Sequence, residues 1–322
     1  MSAGAAALID VAGLAARLHD PRLRLLDASV VLPAPRFDGD YRPASGAEDW
    51  RHAHIPGARH ADLLHALSDA QAGFGFALPP WPALRAALQR LGIGDGCQPV
   101  LYDRSDGFWA ARLWWMLRSA GIDAQVLDGG WRAWQAAGLP EASGDAPAPA
   151  PAALTAAPRP DLWVDRHRVE AVLHGRAAGT LVCALSAPLF AGHAPSRYAR
   201  RGHIPGSRNL PARAVFDAGG RYLPPAQLAR TLAPLLAAPR PLLLYCGGGI
   251  SAAALALALS LLGETELALY DGSLQEWAAD LALPLTVLPP AVADIAGTAT
   301  DAAPIAPTAA DIAALATPEP RR

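Results

Sequence analysis

One cysteine, Cys246, stands between an apolar run and three glycines, in the order Leu242-Leu243-Leu244-Tyr245-Cys246-Gly247-Gly248-Gly249-Ile250-Ser251-Ala252. This order predicts a buried strand, a tight loop and the start of a helix. The sulfur then sits where loop N–H groups and the positive helix end converge, a setting that favours a thiolate. Three glycines let the backbone curl round the sulfur, and such a nest holds a thiolate, a persulfide or a bound oxyanion. A buried structural cysteine is the ordinary alternative. The carboxyl end of a strand, however, is where open α/β sheets place their ligands. The functional reading of Cys246 is therefore preferred.

Other chemistries compete for the same residues. Gly247 to Ala252 fits the G-x-G-x-x-A pattern of dinucleotide sites, and Asp271 follows Gly247 by 24 residues, near where a ribose-binding acid is expected. Against this reading, only about fifty ordered-looking residues remain to complete a nucleotide domain. A phosphatase loop needs C-x₅-R so that a guanidinium can clamp phosphate, and position 252 is Ala. His52, His54, His60 and His65 cluster, but no Glu or Cys lies at metal-ligand spacing nearby. His54 and His203 belong to turns, and Trp109, Trp114, Trp115, Trp131 and Trp134 read as packing. Cys97 and Cys183 carry no loop signature.

The elements that must position Cys246 recur along the chain. With 322 residues there is room for two domains. Helical spacing runs from Leu8 to Leu18, and Leu23 to Leu26 reads as a strand. Phe37 to Trp50 is polar and looks like a surface excursion. The turn His54-Ile55-Pro56-Gly57 follows, then a helix over Pro82 to Leu91. Next come a strand from Val100 to Tyr102 ending at Asp103, a helix from Phe108 to Ala120 and a strand at Val126-Leu127. Asp128-Gly129-Gly130 leads into a helix through Trp134. The pattern restarts after a Pro/Ala-rich stretch, with a helix over Val164 to Leu173 and a strand over Thr180 to Ala184. The turn His203-Ile204-Pro205-Gly206 comes next, then a helix over Leu228 to Leu236 and the cysteine strand. Ala252 to Leu262 is helical, Leu267 to Tyr270 a strand, and Asp271-Gly272-Ser273 leads into a helix with Trp277.

The spacings repeat as well. Asp103 precedes Asp128 by 25 positions, as Cys246 precedes Asp271, and Asp128 to Trp134 is six, as is Asp271 to Trp277. Asp271 thus belongs to the shared scaffold. Strand–helix alternation predicts an α/β fold with two tandem domains, each a mostly parallel sheet flanked by helices. The first spans residues 1–140, a linker 141–160, the second 161–288, and a disordered tail 289–322.

Composition narrows the partners. The net charge is −2 with no long basic run, so nucleic acid is not expected. Gly247 to Gly263 is uncharged but Ala-rich and directly follows a strand, so no membrane span is expected. The start lacks the features of a signal peptide. Three scattered cysteines suit a reducing compartment, which predicts a cytoplasmic protein.

Taken together, the residues resemble the tandem-domain rhodaneses, the thiosulfate and 3-mercaptopyruvate sulfurtransferases. The features that carry this are the paired His-Ile-Pro-Gly turns, Tyr-Asp and Tyr-Cys-Gly-x-Gly before the two helices, Ala110-Ala111-Arg112-Leu113-Trp114-Trp115 and the two Asp-Gly-Gly/Ser…Trp elements. The resemblance covers about residues 8 to 288. It implies that the first domain is catalytically silent, with Asp103 where a cysteine is needed. It implies that Cys246 accepts a sulfane sulfur as a persulfide and passes it to cyanide, a thiol or a protein. Gly247, Gly248, Gly249, Ile250 and Ser251 would form the N–H cradle, and no cofactor or metal is implied.

The loop has no basic residue of the kind thiosulfate enzymes carry. It is nearer to the Cys-Gly-Ser-Gly-Val-Thr of mercaptopyruvate enzymes, with Gly248 in place of the serine. Mercaptopyruvate is the preferred donor, thiosulfate the alternative, and a persulfide carrier without small-molecule turnover a further one. The family's Asp-Ala-Arg triplet is Cys183-Ala184-Leu185 here, so one anion-binding arginine is missing. The other substrate arginine corresponds to Arg197, with Arg200 and Arg201 close enough in sequence to compensate.

Overall fold

In a computed structural model, residues 7–145, 149 and 152–289 are described. The proposed tail, apart from Pro289, lies outside the described residues, as does part of the linker.

Two five-stranded sheets carry the fold. In the first half the elements are β1 (Leu8–Ile9), α1 (Val11–Ala15), β2 (Leu23–Asp27), β3 (Val30–Val31), β4 (Ala44–Ser45), α2 (Ala47–His52), β5 (Arg59–His60), α3 (Trp81–Arg90), β6 (Gln98–Tyr102), α4 (Phe108–Ser119), β7 (Gln125–Leu127) and α5 (Gly130–Ala136). The second half has β8 (Trp163–Val164), α6 (Arg166–Leu173), β9 (Thr180–Cys183), α7 (Ala187–Ala191), β10 (Arg208–Asn209), α8 (Pro225–Leu236), β11 (Leu242–Tyr245), α9 (Ile250–Leu261), β12 (Leu267–Tyr270) and α10 (Ser273–Ala279). The strand orders are β1-β7-β6-β2-β5 and β8-β12-β11-β9-β10, the same path taken twice, and every pairing within them is parallel. Among the strands named here, β3 and β4 pair antiparallel. Both sheets lie in one unit, Met1–Leu288.

Local chemistry repeats with the topology. Asp10 and Asp165 cap their helices through the N–H groups of Gly13 and Arg168. Ile55 N–H donates to the Tyr102 hydroxyl, as Ile204 N–H does to the Tyr245 hydroxyl, tying each His-Ile-Pro-Gly turn to a central strand. His54 stacks on Trp50 and contacts its carbonyl, and His203 does the same with Phe190. Trp134 and Trp277 donate to the carbonyls of Pro140 and Pro284.

Three expectations change. Leu8–Ile9 pairs with β7 and Trp163–Val164 with β12, so each helix predicted there begins only after a short strand. Periodicity cannot separate a two-residue edge strand from a first helical turn. Phe37 to Trp50 is no mere surface excursion: Gly39 N–H donates to Ser196 O, Ser196 N–H to Asp38, and Tyr41 reaches Gln275. Finally, part of the Pro/Ala-rich stretch is strapped onto the first sheet's helices. Asp95 N–H donates to Ala153 O, Gln89 to Ala152 O, and Leu154 is buried.

The two halves meet along α4 and α9, which bury ten and eight of their twelve residues. Arg112, 1% exposed, crosses this seam. Its Nη2 donates to Asp271 Oδ1 and to Phe76 O, both at 2.6 Å, while its guanidinium lies 4.5 Å from the Trp163 ring. The pairing is reciprocal: Asp271 accepts the Leu78 N–H from the other half, and Asp128 accepts the Tyr222 N–H. Removing one partner of a buried ion pair leaves the other charge uncompensated. Arg112→Ala should lower the unfolding free energy by about 3–5 kcal/mol in urea titrations. Together with Asp271→Ala it should cost less than the two single changes added.

Candidate active site

Leu242, Leu243, Leu244 and Tyr245 are all buried, as expected of a central parallel strand covered on both faces. The chain leaves this strand at Cys246, which is 2% exposed. Cys246 N–H donates to Ser273 Oγ, and its carbonyl accepts the Leu274 N–H, so the start of α10 holds the residue. Among the described residues, the N–H groups of Gly247, Gly248, Gly249, Ile250 and Ser251 have no protein acceptor. They are the orphan donors of a loop and a helix start.

The first half shows what such a loop holds. After β6, the Asp103 carboxylate accepts the N–H groups of Ser105, Gly107 and Ala110 at 2.9–3.0 Å. Burial pushes this carboxyl up, and the three N–H groups pull against that. The Asp103 carboxyl of the chain itself therefore fills this loop. In the second half a sulfur stands at the corresponding strand end, with the N–H groups left open.

Each glycine of the loop is needed for space. A Cβ on Gly247 would overlap the Tyr198 hydroxyl. One on Gly248 would lie 2.7 Å from Gln275 Nε2, and one on Gly249 2.7 Å from Arg112 Nη1. Gly249 also has φ +75°, the left-handed region that caps α9. Gly247, Gly248, Ile250 and Ser251 line a cleft of about 360 Å³ with Cys246, whereas Gly249 faces the buried arginine. Asp271 is taken up by Arg112 and Leu78, and this removes the acid that a dinucleotide reading requires.

The cleft is walled from both halves. Val30, Leu32, Phe76 and Trp109 come from the first, Leu185 and Leu189 from the second. Arg197 lines it too, its Nη2 donating to Pro33 O at 2.9 Å, while its Nε is buried without an acceptor. Arg200 and Arg201 do not compensate for Leu185. Arg200 is spent on the carbonyls of Trp277, Ala278, Asp280 and Leu283, and Arg201 on Asp38. The second cation in the cleft is Arg213, paired with Asp106 at 2.9 Å.

Sequence reasoning missed Arg213, Tyr41, Tyr198 and Gln275. Tyr198 adjoins Arg197, and Gln275 follows the Asp-Gly-Ser element, so both had a positional signal; Tyr41 and Arg213 had none. The other cysteines are held as thiols, Cys97 pushed up by burial and Cys183 pushed up to about 12 by the same cause. Within the histidine cluster, His60 meets Ser29 O and His65 meets Asp62.

A cysteine at the end of the central parallel strand, in an open N–H loop at the seam of two repeated α/β halves, defines a rhodanese-type site. Comparison agrees with this. Residues 10–137 and 192–280 match the rhodanese-like domain. A probable 3-mercaptopyruvate sulfurtransferase of Pseudomonas aeruginosa is 37% identical over 283 residues, covering 85% of this chain and 96% of that protein. The human 3-mercaptopyruvate sulfurtransferase is 32% identical over 281 residues, covering 84% and 91%. The crystal structure of SseA from Escherichia coli, described as a 3-mercaptopyruvate sulfotransferase, superposes with a TM-score of 0.71 at 28% identity, covering 84% of this chain and 99% of that one.

The chain belongs to the rhodanese family. It is an enzyme of the two-domain sulfurtransferase class.

The glycine geometry yields a graded expectation. Displacing reacting atoms by about 1 Å can cost about 100-fold in rate. Gly247→Ala, which must displace the Tyr198 hydroxyl, should lower sulfur-transfer turnover by about that factor. Gly248→Ala meets only the movable end of Gln275 and should cost clearly less. Steady-state rates of the two variants, with circular dichroism to confirm folding, check the order.

Proposed function

We propose that this chain is a 3-mercaptopyruvate sulfurtransferase that works through a Cys246 persulfide. The observation that supports it most is the open N–H loop around Cys246 sharing a cleft with Arg197. A small 2-keto acid has one carboxylate for a single arginine to clamp and a short carbon chain for apolar walls. The names of the relatives from Pseudomonas aeruginosa and human point the same way.

The chemistry is a double displacement. The Cys246 thiolate attacks the sulfur of mercaptopyruvate, an S–S bond forms and the C–S bond breaks. The electron pair leaves with the carbon as the enolate of pyruvate, which takes up a proton. The persulfide rests against the loop N–H groups, which stabilise its charge as they would an oxyanion. A thiolate or cyanide acceptor then attacks the outer sulfur and releases the Cys246 thiolate. Arg197 is the cation of the cleft that would meet the donor's carboxylate, and Leu185 offers that donor carbon where the family pattern has an arginine.

We also place the enzyme in the cytoplasm, a reading supported by three free cysteines. No helix among the described residues is long and apolar enough to cross a membrane.

Steady-state kinetics with mercaptopyruvate and a thiol acceptor test the assignment. Cys246→Ser should abolish turnover. Arg197→Ala should raise KM about 10- to 100-fold, the cost of one charged hydrogen bond of about 1.5–3 kcal/mol. Normal turnover by the Cys246 variant would overturn the proposal. A single sulfur loaded but never turned over would favour a persulfide carrier.

A further inference from the structure

Gln275 occupies the space that a side chain at position 248 would need, since a Cβ there would lie 2.7 Å from its Nε2. Three bonds fix it. Its N–H donates to Gly247 O at 2.8 Å, its Oε1 accepts the Gly75 N–H at 2.7 Å, and its Nε2 donates to Tyr41 Oη at 2.8 Å. The Gly75 N–H can only donate, so the amide has one orientation and must present its NH₂ to the phenol. Tyr41 Oη is thereby an acceptor, and its own hydrogen must point elsewhere. Among the described residues that hydrogen has no protein acceptor, and Tyr41 lines the cleft that holds Cys246 and Arg197.

Burial pushes the Tyr41 phenol up to about 12, against the pull of Gln275 and Arg197, so it keeps its proton at neutral pH. A phenol that accepts one hydrogen bond is also a better donor of another.

We infer that Tyr41 is a catalytic residue of the mercaptopyruvate half-reaction, donating its O–H to the keto oxygen of the donor, and that Gln275 is its positioning residue. This rests on the donor assignment above. As Cys246 Sγ bonds to the donor sulfur, the C–S electron pair moves into the carbonyl unit and charge gathers on the enolate oxygen. The Tyr41 hydrogen bond meets that charge. The enolate carbon then takes a proton from water, the phenol keeps its own, and pyruvate leaves. Discharge of the persulfide to a thiol builds no charge on a carbonyl oxygen and has no use for Tyr41.

Single-turnover kinetics separate the two half-reactions. Loading is followed with mercaptopyruvate. Discharge to dithiothreitol is followed from enzyme persulfidated with inorganic polysulfide. Losing one preorganised donor to a developing oxyanion typically costs about 100-fold or more, and a polarised phenol at the lower end of that range is expected here. Tyr41→Phe should slow the saturated loading rate about 100-fold, and at least tenfold more than it slows discharge. Gln275→Ala should shift the same step by a smaller factor. Adding Gly248→Ser to Gln275→Ala should recover loading to within about fivefold of wild type, because a hydroxyl then stands in the vacated space.

Equal slowing of both steps, or unchanged loading in Tyr41→Phe, would overturn the inference. So would a larger loading defect in Tyr198→Phe, which would give the role to the other phenol. If the wild type itself is not loaded by mercaptopyruvate, the donor assignment falls and this inference with it. A wild type that loads normally beside an unaffected Tyr41→Phe rejects the inference alone.

Discussion

A buried N–H group without an acceptor costs about 1–3 kcal/mol, and the loop after β11 has five N–H groups without a protein acceptor among the described residues. That constraint organises the molecule. The same loop in the first half meets it internally, because Asp103 turns its carboxylate back on three N–H groups. In the second half the donors stay open beside Cys246, so water, a persulfide or a substrate anion must satisfy them. One scaffold thus yields a self-filled loop and an open one, the first with Asp103 at the strand end and the second with Cys246 followed by three glycines.

Holding such a loop open requires support from outside it. Tyr198 lies against Gly247, Gln275 against Gly248 and Arg112 against Gly249, so three side chains press on three consecutive glycines. Arg112 comes from the first half of the chain, and Gln275 is fixed by Gly75 and Tyr41 of that half. The first half therefore does more than repeat the fold. It contributes a buried cation behind the loop and much of the apolar wall of the cleft.

The duplicated fold and the cysteine were legible because each leaves a local signature: a strand pattern, a turn, a repeated spacing. The strand ends at Asp103 and Cys246 could be aligned on the paired acids and tryptophans alone. What could not be read were contacts between positions far apart in the chain. Nothing near Tyr41 announces that it meets Gln275, and the polar stretch around it looked like free surface. Arg200 and Arg201 show the converse error. Closeness in sequence to Arg197 suggested a shared role, yet backbone direction sends Arg200 to the carbonyls after α10 and Arg201 to Asp38. Gly248 could be seen to depart from the family pattern, but only the folded chain shows Gln275 in that space.

The central claim is that the open loop exists to carry sulfur on Cys246. Its most direct test is peptide-resolved mass spectrometry of the intact enzyme after brief exposure to mercaptopyruvate without an acceptor, with free thiols trapped by alkylation. The account predicts one added sulfur, confined to the peptide containing Cys246, and its loss when a thiol acceptor is supplied. An unmodified Cys246, or added sulfur on Cys97 or Cys183 instead, would contradict it.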